Sequence, residues 1–205
     1  MDERIVEYPW TLGQRPTGMT LDAGSTLNHE FVLDRLLPVL QGLHIVTLAP
    51  EARAFPERGI SYLYADLREL PVRSGFYDTV ISLSVLEHVG LDNALYGAGA
   101  ARKGDPEREV KRAMTELVRV LKPGGTMLVS VPYGVPERLG WVRQFNRREV
   151  EQLIELARPE SYRIEIFRED ALGWQRSTLD AAASARYRGH RAEAVACLRL
   201  DRCSA

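Results

Sequence analysis

Apolar runs of strand length alternate with stretches of helical period along most of this chain, and that alternation restricts the fold more than any other feature. Parallel strands need a crossover between them, and a helix is its usual form. Met19 to Asp22 reads as a first strand, His44 to Leu48 as a second and Ile60 to Ala65 as a third. Thr79 to Ser84 and Thr126 to Val131 read as the fourth and fifth, Tyr162 to Phe167 and Ala194 to Leu200 as two more. Glu30 to Leu40 predicts a helix that Pro38 must shorten or kink. Asp105 to Leu121 is the clearest helix. Asp105 suits its cap and Pro106 its first turn, and Val110, Ala113, Met114, Leu117, Val118 and Leu121 form one apolar stripe. Lys122-Pro123-Gly124-Gly125 ends it. Asn146 with Glu149 predicts a capping box for a helix carrying Val150, Leu153 and Ile154. The expectation is a mostly parallel sheet with helices on both faces.

Between these elements the chain is less regular. Residues 1–17 read as a lead-in, and 171–192 as a polar segment without a strong period. Residues 92–104, rich in Gly, Ala and Asn, read as a long loop just past the fourth strand, where a lid would lie. The length of 205 residues suits one domain, 1–205. A net charge of -1 gives no basic excess to attract nucleic acid or an anionic membrane, so neither is expected as a partner. No apolar run reaches membrane-spanning length, and the charged start Met1 to Glu7 lacks the apolar centre of a signal peptide. Cys197 and Cys203 are too few for a disulfide framework or a metal site, and Glu87, His88 and His29 lack ligand spacing, so no metal is expected. A reducing, cytoplasmic setting is the default expectation. The oligomeric state stays open, a homodimer included.

The stretch Thr20-Leu21-Asp22-Ala23-Gly24-Ser25-Thr26-Leu27-Asn28 joins the first strand to its helix through a turn of small residues. Such a turn lets a ligand approach the backbone, and the helix offers its positive N-terminal end. A Gly-rich cofactor loop of the Asp-x-Gly-x-Gly-x-Gly type has glycine where this chain has Thr26 and Asn28.

Four segments, in order, resemble the class I methyltransferases that use S-adenosylmethionine, in particular their ubiquinone-methyltransferase-like (methyltransferase type 11) subgroup. They are Leu21-Asp22-Ala23-Gly24, Ala65-Asp66-Leu67, the run Phe76 to Val89 with Leu86-Glu87-His88-Val89 at its end, and Glu116 to Gly125. The resemblance covers roughly residues 18 to 156. Glu87-His88-Val89-Gly90-Leu91 and Tyr96-Gly97 further resemble a bacterial branch with a Gly-Ser loop. The resemblance implies a Rossmann-like, doubly wound, mostly parallel seven-stranded sheet with an antiparallel last strand. It implies S-adenosylmethionine as cofactor, with Asp22, Ala23, Gly24 and Ser25 at its methionine part, Asp66 and Leu67 at adenine, and Ser82 and Leu83 beneath it. Glu87 and His88 would follow near the cavity mouth. A histidine titrates near neutrality, so His88, with Glu87, is the candidate catalytic pair for an acceptor that must lose a proton. Structural readings compete at each position: Asp66 as a turn cap, Ser82 as a strand residue, Glu87-His88 as a cap.

The implied reaction moves a methyl group to a small-molecule or sugar-containing acceptor. Tyr96, Tyr133, Trp141 and Phe145, from 92–104 and 133–145, are the candidate acceptor-binding residues, with 171–192 on the same side. Packing under a loop is the competing reading of these aromatics. The family usually ends its second strand with an acid for the ribose hydroxyls, whereas His44-Ile45-Val46-Thr47-Leu48-Ala49-Pro50 has none before Glu51. A non-catalytic methyltransferase-like partner domain and, more weakly, a nicotinamide-dependent oxidoreductase are the alternatives.

Overall fold

A computed structural model describes residues 2–92 and 104–204. Eight strands form its main sheet: β1 (Gly18–Ala23), β2 (Leu40–Thr47), β3 (Ile60–Tyr64), β4 (Tyr77–Leu83), β5 (Leu121–Pro132), β6 (Ser161–Asp170), β7 (Gly173–Ser177) and β8 (Ala194–Asp201). Their order across the sheet is β3-β2-β1-β4-β5-β8-β6-β7. The first five strands run parallel. β8 is antiparallel to both β5 and β6, and β7 to β6. The strand order reverses between β1 and β4, so the loops after these two strands diverge and leave a crevice at their carboxyl ends.

Seven strands were expected in the sheet, and the main sheet has eight among the described residues. The extra strand is β7, inside the polar segment 171–192. Asp170 Oδ1 accepts from Leu172 N at 2.7 Å and Gly173 has φ +101°, so the chain doubles back there. β7 carries no apolar run, and its pairing with β6 alone makes it a strand. β5 also starts earlier than expected. Its register jumps from Tyr77↔Leu121 to Thr79↔Thr126, so Lys122-Pro123-Gly124-Gly125 bulges out of the ladder. Lys122 Nζ holds Asp78 there at 2.7 Å.

The lead-in holds a helix, α1 (Arg4–Gly13), with Pro9 inside it. α2 (Glu30–Leu36) gives way to a 3-10 turn at Leu37–Val39, where Pro38 removes a donor. α3 (Pro106–Val120) is capped by the Asp105 carboxylate, and α4 (Arg147–Ala157) by the expected capping box. α5 (Leu179–Ala182) is a single turn.

Alternating residues of the central strands feed opposite faces. Val80, Met127 and Leu198 pack under α3 and α4 with Met114, Leu117 and Leu153. Ile81, Leu128 and Cys197 pack under α1 and α2 with Trp10, Leu27, Val32 and Leu36. Both cysteines are free, Cys197 in the core and Cys203 at the surface. Among the described residues no helix is long and apolar enough to cross a membrane.

Candidate active site

The turn after β1 is fixed from beneath. Asp22 is fully buried, and its Oδ2 accepts from Leu27 N at 2.8 Å. Burial pushes its carboxyl up to about 7. Asp22 is therefore a fastener of the loop rather than part of a cavity wall. Gly24 N donates to Val46 O at 2.9 Å, and its φ is +125°. A Cβ on Gly24 would lie 2.3 Å from Val85 Cγ2, so only glycine lets the loop lie against the chain leaving β4. Ser25 and Ser84 both adopt the left-handed region, at φ 59° and 46°, on either side of the crevice.

Thr26 and Asn28 are anchored within the protein. Thr26 Oγ1 donates to Leu83 O at 3.0 Å. Asn28 Nδ2 donates to Arg53 O, and its Oδ1 accepts from Tyr62 OH, both at 2.8 Å. The two side chains that replace glycines thus tie the loop to β4 and to the β2–β3 connection.

A cavity of about 410 Å³ opens at the carboxyl ends of β1 to β4. A volume of that order accommodates a small organic ligand. Gly24, Ser25 and Thr26 form one wall, Leu48 to Glu51 and Asp66 to Arg68 another, and Ser84, Val85 and His88 to Gly90 a third. β2 ends at Thr47, and the turn at Ala49-Pro50 brings Glu51 into the same wall as Asp66. An acid therefore lines the cavity four residues after the end of β2. Asp66 is oriented by Arg68, whose Nε donates to both carboxylate oxygens at 2.9 and 3.1 Å and whose Nη2 donates to Oδ2 at 2.5 Å. Arg68 Nη1 reaches Glu109 of α3 at 2.7 Å. Leu67 lines the cavity between them.

Several expected positions do not reach the cavity wall, though Ser82 and Leu83 were expected only beneath it. Ala23, Ser82 and Leu83 are completely buried below the cavity floor. Glu87 is 2% exposed and faces the interior, where burial pushes its carboxyl well above the usual range, so it is not a wall residue. The reason is local: in the 3-10 turn Leu86–His88, Leu86 and Glu87 point inward and His88 meets the cavity. Tyr133 and Phe145, each 1% exposed, belong to the core; the Tyr133 hydroxyl donates to Leu179 O at 2.9 Å. Tyr96 lies outside the described residues.

His88 and Trp141 do come together. Their rings stack at 5.2 Å and 9°, and His88 Nδ1 lies 2.8 Å from Trp141 O. A carbonyl only accepts, so Nδ1 carries the proton and Nε2 the lone pair of the neutral ring. Burial lowers the His88 pKa against the opposing pull of that hydrogen bond. Nε2 is 4.0 Å from Glu87 Oε1, beyond hydrogen-bond range. Tyr187 meets Trp141 edge-on at 6.1 Å and His190 lies 6.4 Å away, so part of 171–192 reaches the same aromatic cluster.

Helix α1 contributes what the sequence concealed. Glu7 is completely buried; its Oε1 accepts from Ser84 Oγ at 2.6 Å and Ser130 Oγ at 2.5 Å, and its Oε2 pairs with Arg4 Nη1 at 2.5 Å. Arg4 Nη1 also donates to Leu83 O at 3.2 Å, and Arg4 lines the cavity. Tyr8 OH donates to Thr26 O at 2.9 Å. The helix buries Glu7, Tyr8 and Thr11, a face that includes a charge, so no apolar stripe advertised it.

Residues 44–129 match the family model described as a methyltransferase domain. The tRNA (carboxymethyluridine(34)-5-O)-methyltransferase of Arabidopsis thaliana is 35% identical over 82 residues, 40% of this chain. The chain covers only 17% of that relative's length. The N-methyltransferase NodS of Bradyrhizobium japonicum, solved with S-adenosyl-L-homocysteine, superposes with a TM-score of 0.59 at 17% identity, covering 98% of this chain and 86% of that one. The 1,6-didemethyltoxoflavin-N1-methyltransferase of Burkholderia thailandensis gives 0.59 at 13% identity, over 98% of this chain and 79% of that one. At such identities the superpositions establish the fold alone. Residues 44–129 are thus similar to a methyltransferase domain, and the chain shares the fold of solved S-adenosylmethionine-dependent methyltransferases.

Proposed function

We propose that this chain transfers a methyl group from S-adenosylmethionine to a small organic acceptor, sugar-containing metabolites included. The observation that carries the reading is the cavity at the sheet's switch point, with Gly24 pressed against Val85 on one side and Glu51 and Asp66 together on the other. These residues fit an extended nucleoside bearing an amino acid. Asp66 and Leu67 would hold the adenine, Glu51 the ribose hydroxyls, and Gly24 and Ser25 the methionine part. Glu51 in the wall removes the main motive for a non-catalytic domain. An oxidoreductase leaves His88 and the Lys122 to Gly125 turn without a role.

The bound cofactor supplies an electrophilic methyl group on a sulfonium. The chain's own task is to hold an acceptor in line and exclude water. The His88–Trp141 stack would form the acceptor's wall, with Tyr187 and His190 behind it. A hydroxyl acceptor would pass its proton to His88 Nε2, which the Nδ1 bond to Trp141 leaves as the accepting atom. Similarity to a tRNA methyltransferase over 82 residues keeps a nucleic-acid acceptor among those to assay.

Titration calorimetry decides the reading. S-adenosylhomocysteine is expected to bind at micromolar concentration, and Asp66→Ala to weaken it about tenfold. Silence at millimolar ligand, or tighter binding of NADH, would overturn the proposal. Equal affinity in Asp66→Ala would remove Asp66 from the adenine site.

A further inference from the structure

We propose that Asn28 and Tyr62 are positioning residues for Glu51: together they clasp the β2–β3 connection and hold its carboxylate at the ribose of the bound ligand. The inference rests on the methyltransferase reading above and gives a task to two side chains that touch no part of the cavity wall.

Glu51 stands on a poorly supported stretch. β2 ends at Thr47, and Leu48, Pro50, Ala52, Arg53 and Ala54 are all exposed. The Glu51 carboxylate makes no hydrogen bond or ion pair among the described residues, so its aim depends on its backbone. Three side-chain bonds hold that backbone among the described residues. Thr47 Oγ1 donates to Ala49 O at 3.2 Å, Asn28 Nδ2 donates to Arg53 O at 2.8 Å, and Tyr62 OH accepts from Phe55 N at 2.9 Å. Glu51 lies between the first two points. Thr47 belongs to the strand that the connection leaves, so it adds no outside anchor. Asn28 and Tyr62 tie the connection to the loop after β1 and to β3.

The two residues form one directed chain of hydrogen bonds. A carbonyl only accepts, so the Asn28 amide nitrogen faces Arg53 O and its oxygen faces Tyr62. That oxygen takes the Tyr62 hydroxyl proton at 2.8 Å, which leaves a hydroxyl lone pair for Phe55 N. Asn28 is 9% exposed, so these bonds are largely shielded from water. A glycine at 28 has no atom to complete the chain. Asn28 N also donates to Ser25 O at 3.2 Å, so one residue links the loop at Gly24 and Ser25 to the connection that carries Glu51. Two departures in the sequence, Asn28 in a glycine pattern and β2 without a terminal acid, thus meet in one network. Simple bracing of the connection is the competing role, and the ligands below separate the two.

The experiment compares S-adenosylhomocysteine with its 2′-deoxy analogue, which lacks one ribose hydroxyl. The wild-type protein should bind the parent about tenfold tighter, and Glu51→Ala should bring that ratio to within about twofold of one. Tyr62→Phe, which removes a single oxygen, and Asn28→Ala should lower the ratio in the same way although Glu51 is still present. Bracing alone would weaken both ligands in parallel or neither, and the ratio would stay near ten. A ratio near ten in Tyr62→Phe overturns the proposal, whether or not Asn28→Ala folds. A wild-type ratio that Glu51→Ala leaves unchanged would remove Glu51 from the ribose and overturn the proposal with it. A wild-type protein that binds neither ligand defeats the methyltransferase reading itself, a separate outcome.

Discussion

Asp22 shows how one residue can be read correctly for place and wrongly for task. Its position before Ala23 and Gly24 marks the loop in the sequence, but only burial reveals that it holds Leu27 N rather than a ligand. That burial has a pH consequence. The folded carboxyl titrates near 7, against an ordinary value of 3.8, so the folded state binds the proton more tightly than the unfolded chain. Its stabilising contribution is complete below about pH 4 and is lost as the pH rises toward 7. Glu87, also pushed up by burial, acts in the same direction. Asp22→Asn keeps an acceptor for Leu27 N and removes the ionisation. It should gain roughly 1–3 kcal/mol over wild type at pH 8 and little at pH 4, read from urea unfolding at both. Equal gains at the two values would refute the raised pKa. Thr26 and Asn28 teach the converse: as letters they break a glycine pattern, and as side chains they brace the loop.

At the scale of elements, α3 and α4 were legible because their signals are local: Asp105 and Asn146 at the caps and one apolar stripe each. α1 and β7 were not. α1 buries Glu7 with Ser84, just past β4, and Ser130 of β5, and β7 exists only through its ladder to β6; both depend on partners far along the chain. The Arg68 clamp belongs to this scale, since it joins the turn after β3 to the first turns of α3. Arg68 and Glu109 have side chains 6% and 3% exposed. Arg68→Met leaves Glu109, among the described residues, with the more exposed Arg108 and Arg112. A loss of about 2–4 kcal/mol is expected from urea midpoints, together with weaker S-adenosylhomocysteine binding as Asp66 loses its orientation. A stable variant with normal binding would show that Asp66 needs no such support.

Across the whole molecule, distant segments meet at one end of the sheet. Trp10 of α1 donates to Glu165 of β6 at 3.0 Å, and Tyr8 reaches Thr26. α1 should therefore unfold with the sheet. Urea titration followed by tryptophan fluorescence and by far-UV circular dichroism should give one coincident transition, and S-adenosylhomocysteine at 100 times its Kd should add about 2.7 kcal/mol. An early fluorescence change with the sheet intact would make α1 a separately melting strap. The sequence by itself determined the alternation of strands and helices, the caps, the tight loop at Gly24 and the approximate place of the site, because each depends on residues near one another in the chain. Tertiary structure decided which side chains face the cavity. Glu51 enters it past Pro50 and Arg4 by a helix docked through a buried glutamate, and Trp141 stacks on the His88 that lines it, while Glu87, Tyr133 and Phe145 turn inward. Inward and outward differ by a fraction of a helical turn or one residue of a strand, and only the packing of distant elements fixes that choice.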